Sequence, residues 1–340
     1  MMTRRARPSR PAPTPSQTKR RKTNSSAVST NQLQGQLTEE EEEEKKEKEQ
    51  DEKKTGSSEV KEETAAGQSK QLDSSSSVSS SLSSAERPTA LPLLPSLSFP
   101  SPFIVGTASW SIPRASAPHF PTAGSHLARY SSLLTGVEIN SSFYRHHQPS
   151  TYRKWAATTP RGFRFAVKLH KDFTHTQRLA VKADELRSVI EGVKELGDRL
   201  AVLLIQLPPS LAFDRTTAQS FFSAVRAVWS GAVVVEPRHT SWAADDATEV
   251  LSSASVGRVI ADPERCPAAV VASAPLVYYR LHGSPVVYKS EYSAAVLDEW
   301  VGRMRAERMA GRAVWCSFDN TALGAATENA LYVLSRVNAT

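Results

Sequence analysis

Two glutamates, a lysine and a histidine carry the most chemical weight in this chain of 340 residues. Glu138 lies in VEIN, Lys168 in FAVKLH, Glu236 in VVVEPRH and His282 in YYRLHG, each near the end of a short apolar run. A pair of carboxylates can divide the work of general acid and general base when cations hold one ionised and dry surroundings raise the pKa of the other. Glycoside hydrolysis or a related step fits such a pair, with carboxylates about 5–9.5 Å apart. Histidine titrates near neutral pH, which makes His282 the natural proton carrier. Arg238 and Arg280 offer guanidinium forks and Lys168 a compact charge, and together these suit a phosphate or carboxylate. The residues thus read as an acid/base site, hydrolase- or lyase-like, for a small anionic ligand, phosphorylated or sugar-like.

Other chemistries find less support. Glu138, Glu236, His239, Asp262 and His282 have the donor types for Zn²⁺ or Mn²⁺, but no HExxH pair occurs, and Lys168, Arg238 and Arg280 would repel a cation in the same cavity. A metal-dependent hydrolase is therefore the lesser alternative, and no metal or cofactor is assigned. Glycine-rich phosphate loops and a GxSxG nucleophile elbow are absent. Cys266 and Cys316, the two cysteines, are too few for a disulfide framework or a four-cysteine zinc site and read as packing residues.

The elements that must position these residues show in the periodicity. Eight runs rich in β-branched and aromatic residues recur: FIVGTASW, GVEINSSFY, GFRFAVKLH, LAVLLIQLPP, AVVVEPRH, GRVIAD, PLVYYRLHG and AVWCSFDN. Helix-like apolar spacing separates most of them, as in 183–196, 218–228 and 294–309. Strand alternating with helix implies βαβ units and a parallel sheet, and eight units make an α/β (β/α)8 TIM-barrel-like domain. Strand alternation then places Glu138, Asn140, Lys168, His170, Gln206, Glu236, Arg238, Asp262, Tyr278, Arg280, His282, Cys316, Phe318 and Asn320 toward the barrel axis. The polar members fall at the C-terminal strand ends, where barrel enzymes build their sites. Asn140, Gln206, Arg238, Asp262, Arg280 and Asn320 are thereby binding candidates. Tyr144 and Trp242 join them as rings able to stack on a sugar or base, and His175 as a cap on the loop after the third strand.

The core can form only in the second part of the chain. All six Trp, all eight Tyr and ten of the eleven Phe follow residue 100, whereas residues 1–100 hold the run EEEEEEKKEKEQDEKK and a serine tract at 74–84. Such a segment buries too little apolar area to offset an ordering cost of about 1–2 kcal/mol per residue. Residues 1–100 are expected to be a disordered tail and 101–340 one domain. Lys19, Arg20, Arg21 and Lys22 fit a nuclear localisation signal. The acid-free, Arg- and Ser-rich first 38 residues fit a mitochondrial address less well, because their prolines oppose an amphipathic helix. No apolar stretch reaches the roughly 18 residues of a membrane span, so an intracellular protein of nucleus or cytoplasm, without membrane contact, is expected.

The motifs GTASW, VEINSSFY, FRFAVKLHKDFTH, IQLPPS, VEPRHTSW, IADP, YYRLHG and SFDNTALGAATENA, over 103–337, resemble the domain-of-unknown-function 72 family, the YecE-like proteins. The resemblance implies a TIM-barrel-like fold and carries no reaction with it. It puts weight on Phe143, Thr174, Pro208, Pro209 and Gly283 besides the site candidates above. Where the family commonly has GTSGW this chain has Ser109, and where it often has EFR this chain has Glu236-Pro237-Arg238. A binding function competes with catalysis: the folded part carries a net charge of +6, and its aromatics could stack the bases of single-stranded nucleic acid. The basic residues placed by alternation point into the barrel rather than along a surface stripe, which leaves that reading second.

Overall fold

A computed structural model describes residues 103–338, apart from 269, 270, 272, 273 and 275. The expected disordered tail and its basic cluster lie outside the described residues. Each of the eight apolar runs forms a strand: β1 Phe103–Thr107, β2 Gly136–Ile139, β3 Arg164–Lys168, β4 Leu200–Gln206, β5 Ala232–Glu236, β6 Gly257–Asp262, β7 Leu276–Leu281 and β8 Ala313–Phe318. They pair in parallel in the order β1-β8-β7-β6-β5-β4-β3-β2. A parallel bridge from Ala108 to Glu138 joins the two ends into a nearly closed barrel.

The helices are α1 His126–Tyr130, α2 Pro149–Thr158, α3 Ala183–Val193, α4 Arg215–Val228, α5 Asp245–Ser253, α6 Ala294–Met309 and α7 Ala325–Val337. Boundaries follow local chemistry. α4 starts three residues before the apolar spacing does, because the Asp214 carboxylate accepts from the Thr217 amide at 2.8 Å and caps the first turn. α3 gives way after Val193 to a 3-10 segment in which Gly197 takes φ 57°, a turn that glycine enters without steric cost. Between β6 and β7 the described residues contain no helix.

Alternation splits the core in two. Ile104, Ala166, Val202, Leu204, Val234, Val259, Leu276, Tyr278 and Trp315 fill the barrel interior. Val105, Val137, Ile139, Phe165, Val167, Leu203, Ile205, Val233, Val235, Val277 and Tyr279 pack against the helices. Each large aliphatic side chain so buried contributes about 1.5–3 kcal/mol. At the closure a side chain on Gly106 would stand 1.9 Å from the Gly136 carbonyl oxygen, so the chain can close there only with glycine.

Two strands overturn the alternation expected from the sequence. In β8, Trp315 packs inside, while Cys316 and Phe318 join the outer core, so Asn320 also points away from the axis and Asp319 points in. In β6, Val259 and Ala261 face the interior and Ile260 the helices, which turns Asp262 away from the barrel axis. In both cases the larger demand is that of the helix layer for apolar cover: Cys316, Phe318 and Ile260 supply it, and the polar residue of matching parity is carried outward.

Candidate active site

The C-terminal end of the barrel is organised around one guanidinium. Arg280, on β7, is wholly buried. Its Nε donates to Glu138 Oε2 at 3.1 Å and its Nη2 to Glu138 Oε1 at 2.7 Å. Nη1 donates to Gln206 Oε1 and to Glu236 Oε2, both at 3.0 Å. Nη2 also lies 2.7 Å from Asp319 Oδ2. All three nitrogens are therefore committed to protein groups from β2, β4, β5 and the end of β8. Tyr278, stacked on Trp315 beneath, donates its hydroxyl to Glu138 Oε2 at 3.1 Å. Glu138 is thus held on both oxygens.

Above Arg280 sits His282. Its Nδ1 donates to Asp319 Oδ2 at 3.0 Å, and its Nε2 stands 3.3 Å from Glu236 Oε1, close but without hydrogen-bond alignment. Arg238 donates from Nε to the same Glu236 oxygen at 3.2 Å and from Nη2 to the Tyr288 hydroxyl at 3.1 Å. The Tyr288 ring meets the edge of His282 at 5.5 Å. The cavity beside Glu236, Arg238, His282 and Tyr288 measures about 20 Å³, room for one water-sized group.

Electrostatics follow from this packing. Burial disfavours ionising Glu236, but Arg280 above all, then His282 and Arg238, outweigh it and hold the carboxyl well below its usual range. Burial opposes ionised Asp319 too, and Arg280, the His282 hydrogen bond and Lys168 bring it below its ordinary value. Burial, with Glu138 beside it, pushes the Tyr278 phenol well up. Burial would lower Arg280, yet Asp319, Glu138 and Glu236 leave it firmly cationic. Three buried carboxylates, Glu138, Glu236 and Asp319, thus face Arg280, Arg238 and Lys168, with Asp319 in the place expected of Asp262.

The remaining candidates divide into two groups. Lys168, buried at the end of β3, holds its ammonium 4.1 Å from the Phe143 ring. Phe143 also meets the edges of Tyr144 and His175, each at 5.0 Å, so these four form one cluster after β2 and β3. Asn140 follows β2, with its Oδ1 buried and unbonded. Trp242 is instead a core residue: its indole Nε1 donates to the Leu211 carbonyl at 3.0 Å and its ring packs on Phe213. Asp262 accepts from the Tyr292 hydroxyl at 2.7 Å, outside the barrel. Asn320 donates to the Ser290 carbonyl and to Asn329 Oδ1, both at 2.9 Å, and ties the β7–α6 loop to α7. Neither belongs to the mouth. His239 caps its own turn through Ser241, so the five metal-donor candidates do not converge. His170 lies beyond β3, against His146 rather than at the axis.

Asp319 and Tyr288 are the site residues that alternation missed. Asp319 was readable, because Val314, Cys316 and Phe318 form an apolar set like those that face the helices elsewhere. Tyr288 had no such signal, since it stands in a loop with no period.

The sequence profile described as "Protein of unknown function DUF72" matches residues 104–340. The chain belongs to this family. The UPF0759 protein YunF of Bacillus subtilis is 28% identical over 111 residues, which span 31% of this chain and 39% of that protein. Solved DUF72 family structures share the barrel. One from Enterococcus faecalis superposes with a TM-score of 0.59 at 18% identity, covering 70% of this chain and 96% of that one. Another, from Thermotoga maritima, gives 0.57 at 22% identity and covers 70% and 99%. At such identities the likeness is one of fold.

Proposed function

We propose that the C-terminal mouth of this DUF72 barrel is an acid/base active site, hydrolase- or lyase-like, for a small ligand bearing an anionic group. The observation that carries the reading is a set of buried polar atoms left over from the network: Asn140 Oδ1, Gln206 Nε2, His282 Nε2 and Asp319 Oδ1 make no hydrogen bond within the protein. A buried polar group without a partner costs about 1–3 kcal/mol, so four at one end of a barrel favour a ligand that supplies the partners.

In this reading the roles differ from one carboxylate to the next. Glu138, clasped by Arg280 and Tyr278, fixes the guanidinium and takes no part in proton transfer. Asp319 holds the Nδ1–H of His282, which leaves Nε2 to exchange a proton with the ligand, as in other Asp–His pairs. Glu236 stabilises the imidazolium form. Arg238, with Arg265 on the wall of the same cavity and Lys168 acting on Asp319, attracts the anionic group. A ligand larger than the space of about 20 Å³ must displace Tyr288, and Gly283 at φ 96° gives that loop a permissive joint.

The test is turnover of a panel of small phosphorylated and carboxylated compounds. Saturable consumption that is lost in both Glu236→Gln and His282→Asn supports the reading. Turnover that survives His282→Asn removes it.

A further inference from the structure

Between α2 and α3, on the helix side of β3, lies a cavity of about 670 Å³. Sites for small organic molecules commonly measure about 300–1,000 Å³, so the space suits one such ligand. Its floor is apolar and buried, built from Tyr152, Val167, Leu169, Phe173, Ile190 and Leu203. Val167 and Leu169 point outward by strand alternation, where a helix would ordinarily cover them. The helix at hand, α3, instead turns Ser188 and Gly192, one turn apart, toward the space. A side chain on Gly192 would come no nearer than 3.8 Å to Pro149, so no tight contact requires glycine there. Its smallness leaves the cavity open.

One side of the rim is acidic. After Lys168 and His170 the chain enters a π-helical turn, Asp172–Thr176. Gln177 ties this turn to the start of α3: its amide donates to the Asp172 carbonyl at 2.8 Å and its Nε2 to Glu185 Oε2 at 3.3 Å. Asp172, Asp184 and Glu185 all border the cavity. His170 gives the Asp172 carboxylate no hydrogen bond, because its Nδ1 already accepts the Asp172 amide at 3.2 Å. His146 Nε2, at 4.0 Å from Asp172 Oδ2, is beyond hydrogen-bond reach. Lys182 lies 3.2 Å from Glu185 but is 83% exposed, and a pair so solvated offsets little charge.

The lining offers two permanent cations against these three carboxylates, Arg145 and Lys168. Lys168 sends its ammonium elsewhere, over the Phe143 ring and toward Asp319. Burial, then Arg145 and His146, push His147 down to about 4, and burial also holds His170 below the ordinary histidine value. Neither ring therefore adds charge at neutral pH. A surplus of negative charge stands beside an apolar floor.

We propose that this cavity binds a small organic cation, a protonated amine whose ammonium lies toward Asp172, Asp184 and Glu185 while its apolar ring covers Tyr152, Val167 and Phe173. One molecule then removes the floor from water and offsets the acidic rim. A carboxylate of the same size would meet like charge, and a neutral ring would leave the rim unanswered. The site is separate from the acid/base reading and does not rest on it.

Isothermal titration calorimetry on the full chain tests this with phenethylamine and, as its counterpart of opposite charge, phenylacetate. One variant, Ser188→Trp, fills the space from an exposed position; a second combines Asp184→Asn with Glu185→Gln, both also exposed. Expected is one-to-one binding of phenethylamine, about tenfold or more tighter than phenylacetate, and lost in Ser188→Trp. The double variant should weaken it by about tenfold, as the loss of two exposed ion pairs implies. Absence of one-to-one binding, equal affinity for phenylacetate, or binding unchanged in either variant overturns the proposal.

Discussion

Asp319 Oδ2 receives His282 Nδ1 at 3.0 Å while Arg280 Nη2 stands 2.7 Å from the same atom. One oxygen thus couples the group proposed to move a proton to the guanidinium that organises the barrel end. Damage to either partner should be felt by the other.

Arg280→Met should destabilise the domain by about 3–5 kcal/mol, because it leaves Glu138, Glu236 and Asp319 buried without their shared cation. Arg280→Lys should recover little, since an ammonium cannot reproduce the fork that reaches Glu138, Gln206 and Glu236 together. Urea unfolding followed by circular dichroism measures both.

The acid limb of stability should come from Glu236 and Asp319. Both carboxyls are held below their unfolded values, so their contribution is fully present above about pH 4 and is lost as pH falls through the lower folded-state values. Unfolding free energy should therefore be insensitive to these groups from pH 7 to about 4.5 and fall steeply below. In Asp319→Asn the fall should be shallower by about one proton, as read from the pH dependence of urea midpoints.

Ser109 adopts φ 116°, a conformation that glycine enters freely and that the family's usual GTSGW would place on a glycine. Ser109→Gly should relieve backbone strain of about 1–3 kcal/mol, less the entropy a glycine adds to the unfolded chain. We expect a net gain near 1 kcal/mol, seen as a Tm rise of about 2–4 °C by calorimetry. An unchanged or lower Tm would show that the position carries no strain.

Much of this was legible before any coordinates. Apolar positions such as Val137 and Ile139 in VEIN must cover helices, and that requirement alone sends Glu138 inward. The same logic located Lys168, Gln206, Glu236 and Arg280. It failed at Asp262 and Asn320, where the polar residue that ends the strand shares parity with the outer apolar set. Trp242 shows a different limit, because an aromatic ring after a strand end serves the core as readily as a ligand. Loop residues such as Tyr288, placed by hydrogen bonds over 50 positions of sequence, leave no periodic trace.

Tyr288→Ala should widen the cavity of about 20 Å³ and release Arg238 from its hydroxyl. Association of small anions should then be faster than in the wild type even though truncating a buried ring lowers the melting temperature, as measured by stopped-flow binding and thermal melts. Equal association rates would mean that Tyr288 does not gate the mouth.

The most direct measurement is a crystal structure of the domain soaked in phosphate, citrate and a sugar phosphate. We predict ligand density within hydrogen-bond distance of His282 Nε2 and of Lys168 or Arg238, with Tyr288 displaced for the larger compounds. An unoccupied mouth at saturating ligand, or density confined to the outer rim, would contradict the assignment of this barrel end as the active site.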